Sequence, residues 1–576
     1  MSLTRLSILL LAGSAVWSAG VARAQQNAPP PSQAKPPVIA PAPSVPARII
    51  LPRVTAGAKI PPQAKKLFFV LTGFAGKGEF KELVAKRQAL EKSLIGKRIS
   101  VAQVFAFAAK LQAIYVRAGY PLVRVVISPQ ELGKAARVKL QVVDGFVERI
   151  DASAIDALVR PRVLAVIGDL LNKRHLTQGE LERKLLIAGE APGLVLNAIF
   201  TAGKKVGGSV LVLAGRYRPV SVSLYGDDAM SPVFGTGQMV ATASLNSILG
   251  LGERLTVSAA GLPDKDFTTS DPTRRYLTAS LSVPIGVDGL SFNGSTTSGV
   301  TTPRVAADAA SQGTLTEGYL ALSYELIKRR DYGLTLSGKL DMTDEETDTL
   351  VFTPAIALSL DRTRVLRGSV EGFWDRRKSG TAFTYGLTIS QGIDALGARM
   401  AADATNLLPL SRQGADAVFT KLSGHAKVTQ SLPKGLFVSL AGYGQESFNK
   451  PLLTSEQFGI TGANMLSGYD AGSFAGDTAW VSRAELGHAF AVPKTTAVLT
   501  PYLFAATGER ILEDPTTLEQ ASVYASNIGA GVRLNVTGTN TFPTDFYGFV
   551  EGAKQHSNDP AQTNGWRIFI GGVLQY

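Results

Sequence analysis

From residue 217 to residue 576 the chain alternates. Tyr332, Leu334, Leu336, Gly338 and Leu340 fall on one face of an extended segment, with Gly333, Thr335, Ser337 and Lys339 between them. The closing residues repeat the pattern: Trp566, Ile568, Ile570, Gly572, Leu574 and Tyr576 point one way, and Arg567, Phe569, Gly571, Val573 and Gln575 the other. A period of two is the side-chain repeat of a β-strand, because successive residues leave opposite faces of the pleat. Clusters of Gly, Asp, Asn, Ser and Pro separate one such segment from the next. Strands apolar on one side can pack against a second sheet in water, as in a propeller or sandwich, or face lipid. In lipid the sheet must close, since an open edge leaves backbone donors and acceptors unpaired. No blade-length repeat is present, and an apolar strand runs to an aromatic end at Tyr576, which reads as a C-terminal barrel signal. At about 22 residues per strand and connection, residues 216–576 are expected to form a transmembrane antiparallel β-barrel of about 16 strands.

The remaining totals narrow the function. Residues 1–24 read as a secretory signal: Arg5 gives the basic start, Leu6 to Ala12 the apolar centre, and Ala22-Arg23-Ala24 the small-x-small cleavage site. No later stretch offers about 18 uninterrupted apolar residues, so helical membrane spans are not expected. The formal charge of +13 is spread along the chain without a basic patch interleaved with aromatics, and nucleic acid is not an expected partner. Cysteine is absent, which removes disulfides, thiolate catalysis and Cys-ligated metals. The four histidines, His175, His425, His488 and His556, stand without a Gly-x-Ser-x-Gly elbow or an HExxH spacing. The acidic run Asp341 to Asp348 fails the spacing of a calcium loop. No catalytic residue, cofactor or metal site is expected.

Residues 25–65 are proline-rich, with Pro29-Pro30-Pro31, Pro36-Pro37, Pro41, Pro43 and Pro46, and read as an extended linker. Two small α+β modules follow, at 66–145 and 146–215. In the first, Ser100 and Gln103 make a capping box ahead of an apolar face of Val101, Val104, Phe105, Ala108, Leu111 and Tyr115, and Gly119 ends the helix. In the second, Thr177 and Glu180 repeat the box, Leu181, Leu185 and Ala188 share a face, and Pro192-Gly193 breaks the helix. Two units of one grammar in tandem suggest duplication.

Residues 458–490, FGITGANMLSGYDAGSFAGDTAWVSRAELGHAF, are a glycine-rich loop entering a strand. Such a loop is either a surface insertion or, among barrel strands, a segment folded into the pore. Arg483 and Glu485, two apart, share one strand face, lining the interior or standing as rim charges.

Together these features resemble the two-partner-secretion transporters, the TpsB or haemolysin activation/secretion family, over nearly all of residues 66–576. YVRAGYPLVRVVISPQEL (115–132) is similar to the family's Gly-Tyr, strand, Pro-Gln signature, carried here by Tyr115, Gly119, Tyr120, Pro129 and Gln130. LERKLLIAGEAPGLVLNA (181–198) resembles its helix-Pro-Gly-strand signature through Pro192 and Gly193. SLYGDD (223–228) and SLNSILGLGERLTVS (244–258) resemble the opening hairpin of the family barrel. GITGANMLSGYDAG and GDTAWVSRAEL resemble its two most diagnostic barrel motifs.

The resemblance implies two POTRA domains (polypeptide-transport-associated modules) in the periplasm and a 16-stranded outer-membrane barrel with an inward loop near 459–478. It implies no enzyme. It implies a translocator for a large unfolded exoprotein, captured through its N-terminal secretion domain, with outer-membrane lipid and the barrel-assembly machinery as further partners. The alternatives within reach are an insertase of the same superfamily, a barrel enzyme and a diffusion pore. In the family the loop tip carries an Arg before Gly-Tyr or Gly-Phe, paired with an Asp on the inner wall. Here the tip motif, Gly462, Asn464, Ser467, Gly468 and Tyr469, has Ser467 where that Arg is expected. The wall motif around Phe504 has Ala506 where the Asp is expected. Losing both avoids stranding one charge, so the two departures read as a matched replacement, with the loop held by Tyr469 packing and backbone contacts.

Overall fold

A computed structural model of the chain describes residues 29–36, 48–50, 60–539, 543–562 and 564–576. The segment read as an export signal lies outside these. The first α+β unit has strands Phe68–Lys77, Arg98–Ser100, Arg124–Ile127 and Ala135–Val143 in one mixed sheet. Helices Val84–Glu91 and Val101–Arg117 belong to the same unit. The long helix starts at a complete capping box: the Gln103 N–H donates to Ser100 Oγ (3.3 Å) and the Ser100 N–H to Gln103 Oε1 (2.7 Å). Its buried stripe is Val104, Phe107, Ala108, Leu111 and Tyr115. Phe107, stacked on Phe74 at 3.8 Å, takes the core place expected for Phe105. The steps of 3, 1, 3 and 4 follow the 3.6-residue repeat, whereas position 105 has rotated to the flank of that face.

The second unit repeats the plan with helices Arg160–Ile167 and Gln178–Gly189. Its sheet contains strands Phe146–Ala154, Leu194–Ala202 and Gly208–Tyr217. The central strand 208–217 pairs parallel with 146–154 and antiparallel with 194–202. A three-residue strand, Arg48–Ile50, lies parallel along the outer side of 194–202.

The rest is a closed barrel. Sixteen antiparallel strands run from Val220–Asp227 to Trp566–Gln575, each paired with its sequence neighbours. One of them, Thr478–His488, resumes after a break as Phe490–Ala491 along the same partner strand. The last strand pairs with the first, Gly571 opposite Asp227 and Gln575 opposite Ser223. Tyr576 and Val222 then exchange backbone hydrogen bonds of 2.8 and 3.1 Å, so the final residue takes part in closure. Outward positions are apolar and exposed, as in Leu320, Leu322 and Leu326 on one strand and Trp566, Ile568, Ile570 and Leu574 on another. The alternation in the sequence is thus the lipid face of a sheet without edges. No helix among the described residues is long and apolar enough to cross a membrane.

The second unit sits on turns at one end of this barrel. Lys184 Nζ reaches Asp169 (2.9 Å) in its own unit and Asp288 (2.8 Å) in the turn between two barrel strands. Arg183 Nη2 donates to the Asp288 carbonyl at 2.7 Å. The Lys184 hydrogen bond holds the Asp288 carboxyl below its usual range. A depressed carboxyl contributes to docking above its ordinary pKa and loses that contribution as pH falls through the lowered value. The pair is half in water, so Lys184→Ala is expected to weaken docking by less than about 1 kcal/mol. A small drop in Tm in detergent at neutral pH, absent in acid, is the expected result.

Candidate functional site in the barrel lumen

Strand alternation decides what can face the lumen. Along Thr478–His488, Trp480 and Leu486 are exposed on the outside, whereas Ala479, Val481 and Arg483 are buried inside. The long loop before this strand, from the end of Leu436–Glu446, leaves the barrel end opposite the α+β units and turns back inward. Ile460, Leu466, Tyr469 and Phe474 of the loop cluster with Val481, Ala506, Val523 and Ala525 of the inner wall. The tip needs left-handed backbone at Gly462 (φ +114°) and Asn464 (φ +64°), residues that tolerate it.

Ser467 is 2% exposed. Its Oγ donates to Glu551 Oε2 at 2.5 Å and accepts from Arg483 Nη1 at 2.9 Å. Arg483 is held in turn by Glu551 (Nη2 to Oε1, 2.7 Å) and by Glu485 (Nε to Oε1, 2.8 Å). Glu485 also takes Arg533 in a two-pronged contact of 2.7 and 2.8 Å. The charges therefore alternate Arg533, Glu485, Arg483, Glu551 and sum to zero inside a confined space, the condition under which buried ions persist. Phe504 lies 3.9 Å from the Arg483 guanidinium, and Tyr502 lies 3.8 Å from that of Arg533. The Tyr502 hydroxyl donates to Glu551 Oε1 at 2.6 Å.

Backbone groups at the tip are also satisfied. With its amide oriented to satisfy both ends, the Asn527 side-chain oxygen accepts from the N–H groups of Ser467 (3.2 Å) and Gly468 (2.6 Å). Gln555 donates to the Gly468 carbonyl, and the Tyr469 hydroxyl to the Ser526 carbonyl at 3.2 Å. A Cβ at Gly468 would stand 2.9 Å from the Asn527 amide and 3.3 Å from Ala553 Cβ, so the close approach favours glycine there.

The polar partner of Ser467 is Glu551, not a group at position 506. Ala506 belongs to the apolar cluster under Tyr469, so the two departures from the family motif serve different contacts. The charge sits on the wall, with Arg483 reaching the serine, and the expectation of Tyr469 packing and backbone contacts alone omits this ion cluster. Glu551 was within reach of the sequence as a charged residue mid-strand in Asp545–Ser557. Its pairing was not, because the strands carrying Arg483 and Glu551 have two others between them in barrel order. Ser467→Arg alone is expected to crowd a second guanidinium against Arg483 and unseat the loop. Ser467→Arg with Arg483→Ser moves the positive charge across the same contact and is expected to recover it. A coupling of about 1–3 kcal/mol between the two changes, read from thermal unfolding, is expected.

The feet of the loop are tied separately. Glu456 meets Arg367 (2.9 Å) and Lys421 (2.8 Å) on two wall strands. Asp477, fully buried, accepts from the N–H groups of Leu452 (3.0 Å) and Glu513 (2.8 Å) and pairs with Arg412. Those contacts bind three neighbouring loops together across the far mouth of the barrel.

A second occupant comes from the proline-rich segment. Residues 29–36, read above as part of a linker, form a turn seated on inward-facing wall residues. The Gln33 and Ala34 N–H groups both donate to the Pro30 carbonyl at 3.0 Å. Tyr276 OH donates to the Pro31 carbonyl (2.6 Å) and Arg274 Nε to the Ala34 carbonyl (2.7 Å). Glu345 accepts from Ser32 N (2.9 Å) and Ser32 Oγ (3.0 Å). A Cβ at Gly313 would meet Pro31 Cγ at 2.4 Å, so the wall is glycine where the peptide comes closest. A Cβ at Gly472 would be 3.1 Å from Pro29 Cβ, so this segment and the inward loop touch. Proline suits the place: it brings no N–H to satisfy and loses little backbone freedom on being fixed. The spacer reading failed at this point because composition reports conformation and says nothing of what a segment lies against.

The signature residues of the two α+β units have structural partners. Tyr115 OH accepts from the Phe80 N–H (3.3 Å) and Tyr120 OH donates to Glu82 (2.8 Å). The Gly119 carbonyl accepts from the Gln178 N–H (2.7 Å), joining one unit to the next. Pro129 is exposed, while the Gln130 amide pairs both ways with the Lys139 backbone (2.8 and 3.0 Å). The Pro192 carbonyl accepts from Ser247 Oγ at 3.3 Å. Gly193 has φ +77°, and a Cβ there would strike the Arg218 carbonyl at 2.1 Å.

Known proteins share the fold. Residues 73–145 match the POTRA domain of the ShlB type. Over 460 residues the chain is 21% identical to the heme/hemopexin transporter protein HuxB of Haemophilus influenzae, covering 78% of this chain and 77% of that protein. The solved structure of CdiB from Escherichia coli covers 100% of this chain and 99% of its own, with a TM-score of 0.67 at 17% identity. CdiB from Acinetobacter baumannii gives 0.57 at 15% identity, with both chains covered in full. Residues 207–534, more than half of the chain, match the haemolysin secretion/activation protein family ShlB/FhaC/HecB, and the chain belongs to that family of outer-membrane transporters.

Proposed function

We propose that this transporter is the translocator of a two-partner secretion system. The POTRA domains stand in the periplasm and take an unfolded exoprotein by its N-terminal secretion domain, and the barrel is its route to the cell surface. The observation that carries the reading is a closed barrel whose lumen is filled by two separately held segments, the 447–477 loop and residues 29–36. A passive diffusion pore has no use for two such occupants together with tandem docking domains. Polar anchors at the tip and feet of the loop give defined positions between which an occupant can be exchanged for a passing chain. Extended polypeptide fits a route lined by backbone-binding side chains such as Asn527, Gln555 and Arg274. No phosphate-binding loop is present in the sequence, so the driving force is folding of the exoprotein outside, which prevents its return.

The test co-expresses this chain with a large exported β-helical protein that carries an N-terminal secretion domain, sought among the neighbouring genes, in a host lacking both. Appearance of that protein in the medium only when this chain is present supports the proposal. Retention in the periplasm together with mis-insertion of other barrels on removal of this chain would favour the insertase reading and overturn it.

A further inference from the structure

The lipid face of the barrel is recessed where Ala530 stands opposite Gly552, a small pair flanked in register by Leu503 and Ile568. A Cβ at Gly552 would meet nothing within 4 Å. The recess is a groove of about 530 Å³, walled by the exposed Leu486, Leu503, Val532 and Val550 and reaching Leu436 and His488. That volume is in the range of sites that hold one small molecule, and a hydrocarbon lining suits an acyl chain. Leu436 opens its strand directly after the turn Pro433–Gly435, and His488 ends another shortly before the turn at 492–496. Alternate turns of an antiparallel barrel share one end, so both lie at the end that carries the α+β units. Each turn has one exposed lysine on left-handed backbone, Lys434 at φ +62° and Lys494 at φ +63°. That conformation favours glycine or asparagine, and neither ammonium has an ion-pair partner among the described residues. A lysine held on strained backbone with no partner inside the protein points to a partner outside it. The His488 Nδ1 atom is buried and has no hydrogen-bond partner among the described residues. In the tautomer protonated there, it can donate to an ester or phosphate oxygen.

We propose that this groove binds one anionic phospholipid, with an acyl chain along Leu503, Ala530 and Gly552 and the phosphate at Lys434 and Lys494. In a bilayer, burying hydrocarbon gives no preference by itself, because lipid tails are as apolar as leucine. The shape of the groove holds the chain, and the two ammonium groups select the headgroup. The site also backs the lumen. Pro501 and Leu503 flank Tyr502, Val550 and Gly552 flank Glu551, and Leu486 follows Glu485. The lipid therefore packs on the reverse of the wall segments that hold Arg483. Filling the recess takes away room for those strands to shift, so a bound lipid steadies the seated loop. The inference goes beyond the translocator reading, and its test needs no exoprotein.

The experiment is native mass spectrometry of the full-length chain in detergent, titrated with phosphatidylglycerol or with phosphatidylethanolamine. The wild type is expected to hold one phosphatidylglycerol with about tenfold preference at low salt, a preference that shrinks as salt rises. Lys434→Gln with Lys494→Gln is expected to bind the two lipids equally. Gly552→Leu places its side chain in the open groove and is expected to bind neither, with heat-modifiable mobility on gels reporting an intact barrel. Ala530→Leu is a second groove-filling variant with the same expected result, should the first fail to fold. Added phosphatidylglycerol is expected to slow proteolysis of residues 460–476 in the wild type and to have no effect in the groove-filled variants. Equal affinity of the wild type for both lipids at low salt overturns the headgroup assignment. Lipid binding by folded groove-filled variants at the wild-type level overturns the groove. Loop proteolysis indifferent to bound phosphatidylglycerol overturns the link to the lumen.

Discussion

Replacing Arg483 with methionine is expected to destabilise the seated loop by about 3–5 kcal/mol, the usual consequence of leaving one member of a buried ion cluster without its partner. Glu485 keeps Arg533, but among the described residues Glu551 is left with only the Tyr502 and Ser467 hydroxyls for its charge. The measurement is proteolysis of residues 460–476 in detergent-solubilised protein, alongside Tm. The variant should be cleaved in the loop under conditions that leave the wild type intact, and should secrete poorly. Adding Glu551→Leu to Arg483→Met removes the stranded charge, and the double variant is expected to lose less than the single one. Protection of the loop in Arg483→Met equal to the wild type would show that Tyr469 packing holds it without the ions.

Deleting residues 29–36 is expected to raise single-channel conductance several-fold with the barrel intact. The deletion takes away a turn that lies in the lumen between Tyr276, Glu345 and Gly472 and removes no residue of a barrel strand. Conductance in planar bilayers is the readout, and retention of heat-modifiable mobility on gels reports the barrel. The increase should be larger when the deletion is combined with Arg483→Met, because the two occupants touch at Gly472 and Pro29. Conductance unchanged by the deletion would mean that the loop alone seals the pore.

Much of this architecture is written in local pattern. Capping boxes at Ser100 and Thr177 fix two helix starts because their bonds span three residues and need no distant partner. The alternation of Trp566, Ile568 and Ile570 against Arg567 and Phe569 fixes a strand and its two faces, and lipid then requires closure. Even Gly193 was legible as a turn, although the Arg218 carbonyl that demands glycine belongs to the threshold of the barrel.

What the sequence determined alone, then, is the kind of each element, the face each strand shows to lipid, and the closed sheet that follows. Only the tertiary structure decided which residues share the lumen. Arg483 and Glu551 are 68 residues apart, with two strands between theirs in the barrel, and residues 29–36 meet Glu345 from a segment whose prolines declare only that it is extended. Periodicity reports which way a side chain points from its own strand. The partner it finds across an enclosed lumen depends on barrel size and register, which exist only once all sixteen strands have closed.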